Sequence, residues 1–85
     1  MNYQIVWGPR AEEMLAAIWL TAANRQAVTR AAARLDDVLS RKPLQFGESR
    51  TSSVHRVGTS PPLGVEFEVI EDDKRVVVQG VFVVK

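Results

Sequence analysis

Cysteine is absent from this sequence, histidine occurs once, at His55, and no apolar run approaches the ~18 residues that a bilayer-spanning helix requires. Without thiols there is neither a disulfide scaffold nor a thiolate zinc site, and one imidazole cannot assemble a metal cage. No metal and no cofactor is expected, and a reducing, cytoplasmic setting fits the chain. The opening residues, Met1 to Pro9, lack a basic stretch followed by an apolar core, so neither export nor membrane insertion is expected. Internal repeats and low-complexity linkers are missing too, and 85 residues are too few for two independent cores. The expectation is a single domain over residues 1–85, its one core drawn from a hydrophobic fraction of 46%.

Net charge is only +1, yet its distribution is uneven. Residues 25–56 carry seven cations (Arg25, Arg30, Arg34, Arg41, Lys42, Arg50, Arg56) against Asp36, Asp37 and Glu48, a local +4. Residues 57–85 carry Lys74, Arg75 and Lys85 against Glu66, Glu68, Glu71, Asp72 and Asp73, a local −2. An asymmetry of this kind can orient a small protein towards a polyanion if the cations gather in space.

What is present reads as an α+β chain with elements in the order β-α-α-β-β-β. Asn2 to Trp7 alternates, Tyr3, Ile5 and Trp7 on one side and Gln4 and Val6 on the other, as a strand does. Gly8-Pro9 ends it, and Pro9, with Glu12 and Glu13 near the positive end of the dipole, opens a helix. Ala11, Met14, Leu15, Ile18, Trp19 and Ala22 form its apolar stripe, which predicts burial of Trp19 as well as Trp7. Asn24 is a good N-cap for a second helix. Val28, Ala31, Ala32, Leu35, Val38 and Leu39 make the inner face of that helix, and its small alanines predict close approach to the first. Pro43 stops it near Arg41.

Leu44 to Ser53 reads as a polar loop with one apolar anchor, Phe46. Val54 to Val57 reads as a short strand, ended by Gly58-Thr59-Ser60-Pro61-Pro62. Val65, Phe67 and Val69 alternate with Glu66 and Glu68, and Glu71-Asp72-Asp73-Lys74 makes a charged turn. The last strand, Arg75 to Val84, is rich enough in valine to predict an interior strand covered on both faces. The whole is a two-helix hairpin packed on a mainly antiparallel sheet.

This order of elements resembles the RelE/ParE superfamily of type II toxins. Pro9-Arg10-Ala11-Glu12-Glu13 with Leu15, Ile18 and Trp19 is similar to that family's opening helix. Arg34-Leu35-Asp36-Asp37-Val38-Leu39 before Lys42-Pro43 is similar to its second helix, and Gly47-Glu48-Ser49-Arg50 to its loop. Pro61 to Asp73 followed by Val76-Val77-Val78 is similar to its penultimate hairpin. The resemblance implies a growth-inhibiting toxin, plasmid-stabilisation-like, neutralised by a cognate antitoxin that wraps its surface. It implies either ribosome-dependent mRNA cleavage or, in the ParE-like branch, action on gyrase. A degenerate toxin fold that serves as a protein-binding module, or as a homodimer, is the competing implication.

Cleavage needs a cation on the phosphate and a group that moves a proton from the 2′-hydroxyl. Where many family members open the third strand with arginine, Gly64 stands here, and the chain ends Val83-Val84-Lys85 where the RNases carry Tyr, His or a basic residue. The catalytic candidates that remain are Arg56, Arg50 and His55. Arg30, Arg34, Arg41, Lys42 and Lys85 are the candidates for RNA contact, the first three recurring on one helical face. A solvated face with Asp37 four residues before Arg41 is the simpler account of those three. For His55 the simpler account is an exposed strand histidine without a titrating partner, and for Glu66 and Glu68 it is the wet side of a strand. The functional expectation is a cationic hollow left open beside the two helices.

Overall fold

The structure, a computed structural model, describes residues 2–49 and 55–84. Strand β1 (Gln4–Trp7) leads into α1 (Pro9–Thr21), where Pro9 occupies the first turn and Glu12 sits at the N-terminal end. Helix α2 (Arg25–Arg41) begins at Asn24, whose side chain accepts a hydrogen bond from the Ala27 amide at 3.0 Å. Strands β2 (Glu48–Ser49), β3 (His55–Ser60), β4 (Leu63–Ile70) and β5 (Arg75–Val83) follow. The sheet order is β1-β5-β4-β3-β2, with β1 parallel to β5 and every other pair antiparallel.

Both helices cover the same face of this sheet. Leu35 and Leu39 of α2, with Ala11 of α1, meet Leu63, Val65, Phe67 and Val69 of β4 and Val76, Val78 and Val81 of β5. All ten are essentially inaccessible to water. Each such valine, leucine or phenylalanine contributes roughly 1.5–3 kcal/mol by leaving water, so this layer carries the stability of the fold.

Four expectations need correction. The segment 44–53 is not loop throughout, because Glu48 and Ser49 pair with Val57 and Arg56 as β2. Gly58-Thr59-Ser60 does not end β3 but continues its ladder against Val65, Gly64 and Leu63, leaving only Pro61-Pro62 to turn. Val54, the expected start of that strand, lies outside the described residues. Gly58 is what admits Phe46: a Cβ there would overlap the Phe46 ring, which stacks on Phe67 with centroids 6.0 Å apart. Thirdly, β5 is interior to the sheet but covered on one face only, since Val77 and Phe82 are half exposed on the other. Lastly, Trp19 is not buried. Its side is open because Ala32 and Ala33 line a gap between α1 and α2 instead of closing it.

Candidate functional site

The register of the sheet decides where each chemically capable side chain points, since neighbours along a strand face opposite ways. On β3, Arg56 pairs with the core residue Phe67 and so faces the helix side, while His55 pairs with Glu68 and faces the open side. Two adjacent catalytic candidates are thus separated by the thickness of the sheet.

Each of the three guanidinium nitrogens of Arg56 is engaged where it lies. Its guanidinium donates to the carbonyl oxygens of Phe46 at 2.9 Å and Gly47 at 2.8 Å and to Ser49 Oγ at 3.0 Å, binding the 46–49 segment to β3. The planar fork of arginine suits this multiple bonding to one strand of backbone. His55 has a carboxylate neighbour that its sequence neighbourhood does not show: its Nε2 lies 3.6 Å from Glu68 Oε2, across the β3–β4 ladder. Glu68 Oε1 in turn accepts from Gln79 Nε2 at 3.3 Å.

Among the described residues, the open face is not a cationic hollow. Glu48, Val57 and Glu66 stand side by side on β2, β3 and β4, with Glu68 and His55 one step along, so three carboxylates gather there, with Arg75 at one margin. On the same face Phe82 lies over Gly64, the position at which the resemblance anticipates arginine, and a Cβ at Gly64 would overlap the ring.

Of the expected RNA-contacting cations, Arg30, Arg34, Arg41 and Lys42 sit on or beside α2, away from this face. Arg34 ties α2 to the β3–β4 turn, its Nε donating to Ser60 Oγ at 3.0 Å and its Nη2 to the Pro61 carbonyl at 3.1 Å. Arg41 pairs with Asp37 at 2.5 Å, both side chains more than 60% exposed, which makes it the ordinary surface pair, worth about 0.3–0.5 kcal/mol. Arg30 and Lys42 are exposed on the helix and just after it. Arg50 and Lys85 lie outside the described residues.

One concavity is of a different character. Between α1 and α2 runs a groove of about 750 Å³, lined by Trp7, Leu15, Ala16, Trp19, Leu20, Val28, Thr29, Ala32 and Ala33, with Glu12 and Asp36 among its walls. Trp19 and Leu20 are 39% and 61% exposed in it. Local bonds hold this surface in shape: Trp19 Nε1 donates to Thr29 Oγ1 at 3.2 Å, and the Arg25 guanidinium lies 4.7 Å above the Trp19 ring. Arg25 also donates to the carbonyls of Trp19 and Leu20 at 3.1 and 3.0 Å, satisfying the last turn of α1. The sequence signal for this groove is the unbroken run Met14 to Leu20, too apolar all round for a helix that buries a single stripe.

Comparison with solved structures places the architecture. A chain of the RelBE2 toxin-antitoxin complex of Mycobacterium tuberculosis superposes with a TM-score of 0.79 at 15% identity, over 99% of this chain and 100% of that one. The chromosomal ParDE system of P. aeruginosa gives 0.73 at 16%, over 99% and 98%. The isolated RelE toxin of E. coli, which holds no antitoxin, gives 0.65 at 16%, over 98% and 85%. This chain has the RelE/ParE toxin fold. At these identities the RelE/ParE likeness is one of fold; no protein-family model and no curated protein matches the sequence.

Proposed function

We propose that this chain is the toxin of a toxin-antitoxin pair, restrained by an antitoxin seated in the groove between α1 and α2, and that it acts by binding a protein target instead of cutting RNA. The fold and the exposed apolar groove support the first part. The observation that carries the second is the opposite facing of His55 and Arg56. A phosphodiester is cut where a cation and a proton-transfer group reach the same phosphate. Among the described residues, Arg56 is committed to the 46–49 backbone on one side, while His55 on the other lies beside Glu68, with Glu48 and Glu66 one step along the same face, and these carboxylates repel a polyanion. Gyrase is the protein target that the ParE-like branch of the resemblance implies.

Inducible expression without the neighbouring gene tests the proposal. Growth slows, purified protein leaves ribosome-bound mRNA intact, and supercoiling by gyrase is inhibited. Normal growth despite confirmed folded protein would overturn the toxin assignment, and a ribosome-dependent cleavage product would overturn the protein-target half.

The His55–Glu68 pair favours one second reading, RNA cleavage with His55 moving the proton and Glu68 orienting it. It requires that wild-type protein cut ribosome-bound mRNA and that His55→Ala abolish the product while the fold persists.

A further inference from the structure

The open face of the sheet is built in two unlike halves. Strand β4 alternates as a strand covered on one side should, with Val65, Phe67 and Val69 buried and Glu66 and Glu68 turned outward. Strands β1 and β5 do not alternate: Ile5-Val6-Trp7, Val76-Val77-Val78 and Val81-Phe82 are apolar on both faces, the pattern of strands covered on both. The two helices supply one cover only. On the other side Val6 is 36% exposed beside its partner Val77, and Val77 and Phe82 are half exposed. Next to this apolar strip the face turns acidic. Val6, Val77 and Glu68 stand in one row across β1, β5 and β4, and Glu66 and Glu48 stand in the next. At about 5 Å per strand, the Glu68 carboxylate begins one step from Val77. Among the described residues Glu66 has no ion-pair partner, and Arg75 is the cation at the margin.

Resting on the reading that the chain acts on a protein target, we propose that the target docks on this face through a basic segment. Its apolar side chains cover Val6, Val77 and Phe82, and its lysines or arginines reach Glu48, Glu66 and Glu68. Two independent features select that occupant. The strip is continuous over two neighbouring strands whose sequence is written for a second cover, and covering it removes apolar surface from water. The carboxylates beside it require that the cover be positively charged. The ladder has already paired the backbone groups of β5 and β4, so side chains make the contact. A lysine or arginine does both at once, its methylenes lying on the strip and its charge meeting the acid one strand away. Other occupants match only half of the face. Nucleic acid and anionic lipid headgroups are repelled by the carboxylates. A second copy of this chain, placed face to face, either sets its own carboxylates against these or leaves them outside the contact.

Inducible expression and a peptide probe test this together. Glu66→Gln with Glu68→Gln keeps the shape of the acids without their charge, and Val6→Thr with Val77→Thr keeps β-branching while placing hydroxyls where the strip meets water. Both pairs melt close to wild type, and neither arrests growth as the wild-type chain does. Glu13→Gln with Asp37→Asn removes as many carboxylates from the helices and still arrests growth. In vitro, a capped peptide of alternating leucine and lysine binds the wild-type chain at low salt at least tenfold more tightly than its leucine–glutamate counterpart. That preference narrows as salt screens it, and each of the two face pairs lowers the affinity for the lysine peptide about tenfold. Growth arrest undiminished in both face pairs would overturn the inference and leave the toxin assignment intact. No arrest by the wild-type chain, with the peptides binding in the expected order, would overturn the toxin assignment and leave the face a site for basic segments. Equal affinity for the two peptides, or lysine-peptide binding unaltered in the face pairs, would overturn the site itself, as would a single-stranded RNA whose binding the face pairs abolish.

Discussion

Gly47, in the left-handed region at φ 73°, lies so close to Val57 that a Cβ on it would overlap the Val57 carbonyl. The obstacle is backbone of the adjoining strand, so it cannot swing aside. Gly47→Ala combines left-handed strain with overpacking and should cost about 2–4 kcal/mol. Gly64→Ala meets only the half-exposed ring of Phe82, which can rotate outward, and should cost under about 1.5 kcal/mol. Urea denaturation of the two variants ranks them; an equal or inverted order would contradict this account.

Arg56 is assigned to the architecture of the 46–49 segment. Arg56→Ala leaves the Phe46 and Gly47 carbonyls without their donor and should cost about 1–3 kcal/mol. Amide exchange quickens at Gly47 to Ser49 before it does in β4 or β5. Lysine, with a single compact ammonium, should recover less than half of the loss. A substitution that left both stability and exchange untouched would return Arg56 to the list of groups free to meet a ligand.

Trp19→Ala removes the Nε1 bond to Thr29 and the ring beneath Arg25, and also an exposed wall of the groove. Stability should fall by about 1 kcal/mol, less than the 3–5 kcal/mol typical of a fully buried tryptophan. Affinity for an antitoxin seated in the groove should fall by at least a further tenfold, as expected of an anchor residue. Thermal melts and titration calorimetry on the same variant separate the two effects.

The Tyr3–Glu71–Lys74 cluster gives the fold a pH signature. The Tyr3 hydroxyl and then the Lys74 ammonium donate to Glu71 and hold its carboxyl below its ordinary 4.5. The bond to Glu71 raises Tyr3 above 10.0 and Lys74 above 10.5. A depressed carboxyl stabilises the folded chain above its unfolded value and loses that contribution as pH falls through the folded one; the two raised groups stabilise below their unfolded values and lose it at higher pH. Tyr3→Phe should therefore lower the melting temperature at neutral pH, and the difference from wild type should shrink below pH 4.5 and again above 10. An offset that stayed constant from neutral to acid pH would show that the cluster is not its cause.

Much of the fold was legible along the chain because it is written in local signals. Pro9, Asn24 and Pro43 mark helix limits, Glu71 to Lys74 marks a turn, and the alternation of Val65 to Val69 marks a half-buried strand. What the chain hides is what lies opposite what. The His55–Glu68 pair, the separation of His55 from Arg56 by a sheet, and the gathering of Glu48, Glu66 and Glu68 all follow from strand register, which no local spacing reports. The apolar stripe of α1 was visible, but its extra width around Ala16 and Leu20 distinguishes a second, unfilled surface from the core only once α2 is placed beside it. Charge summed over residues 25–56 suggested a cationic hollow; Arg34, Arg41 and Arg56 instead turn to Ser60, Asp37 and the 46–49 backbone.

Strand β5 enters the sheet between β1 and β4, so the first strand has no neighbour until the last one is made. During synthesis the helices emerge long before the valines they must cover, and the core can close only after β5 leaves the ribosome. The fold is thus gated by its topology: whatever surface the sheet and helices build together appears at once when β5 takes its place, and not piecemeal as the chain grows.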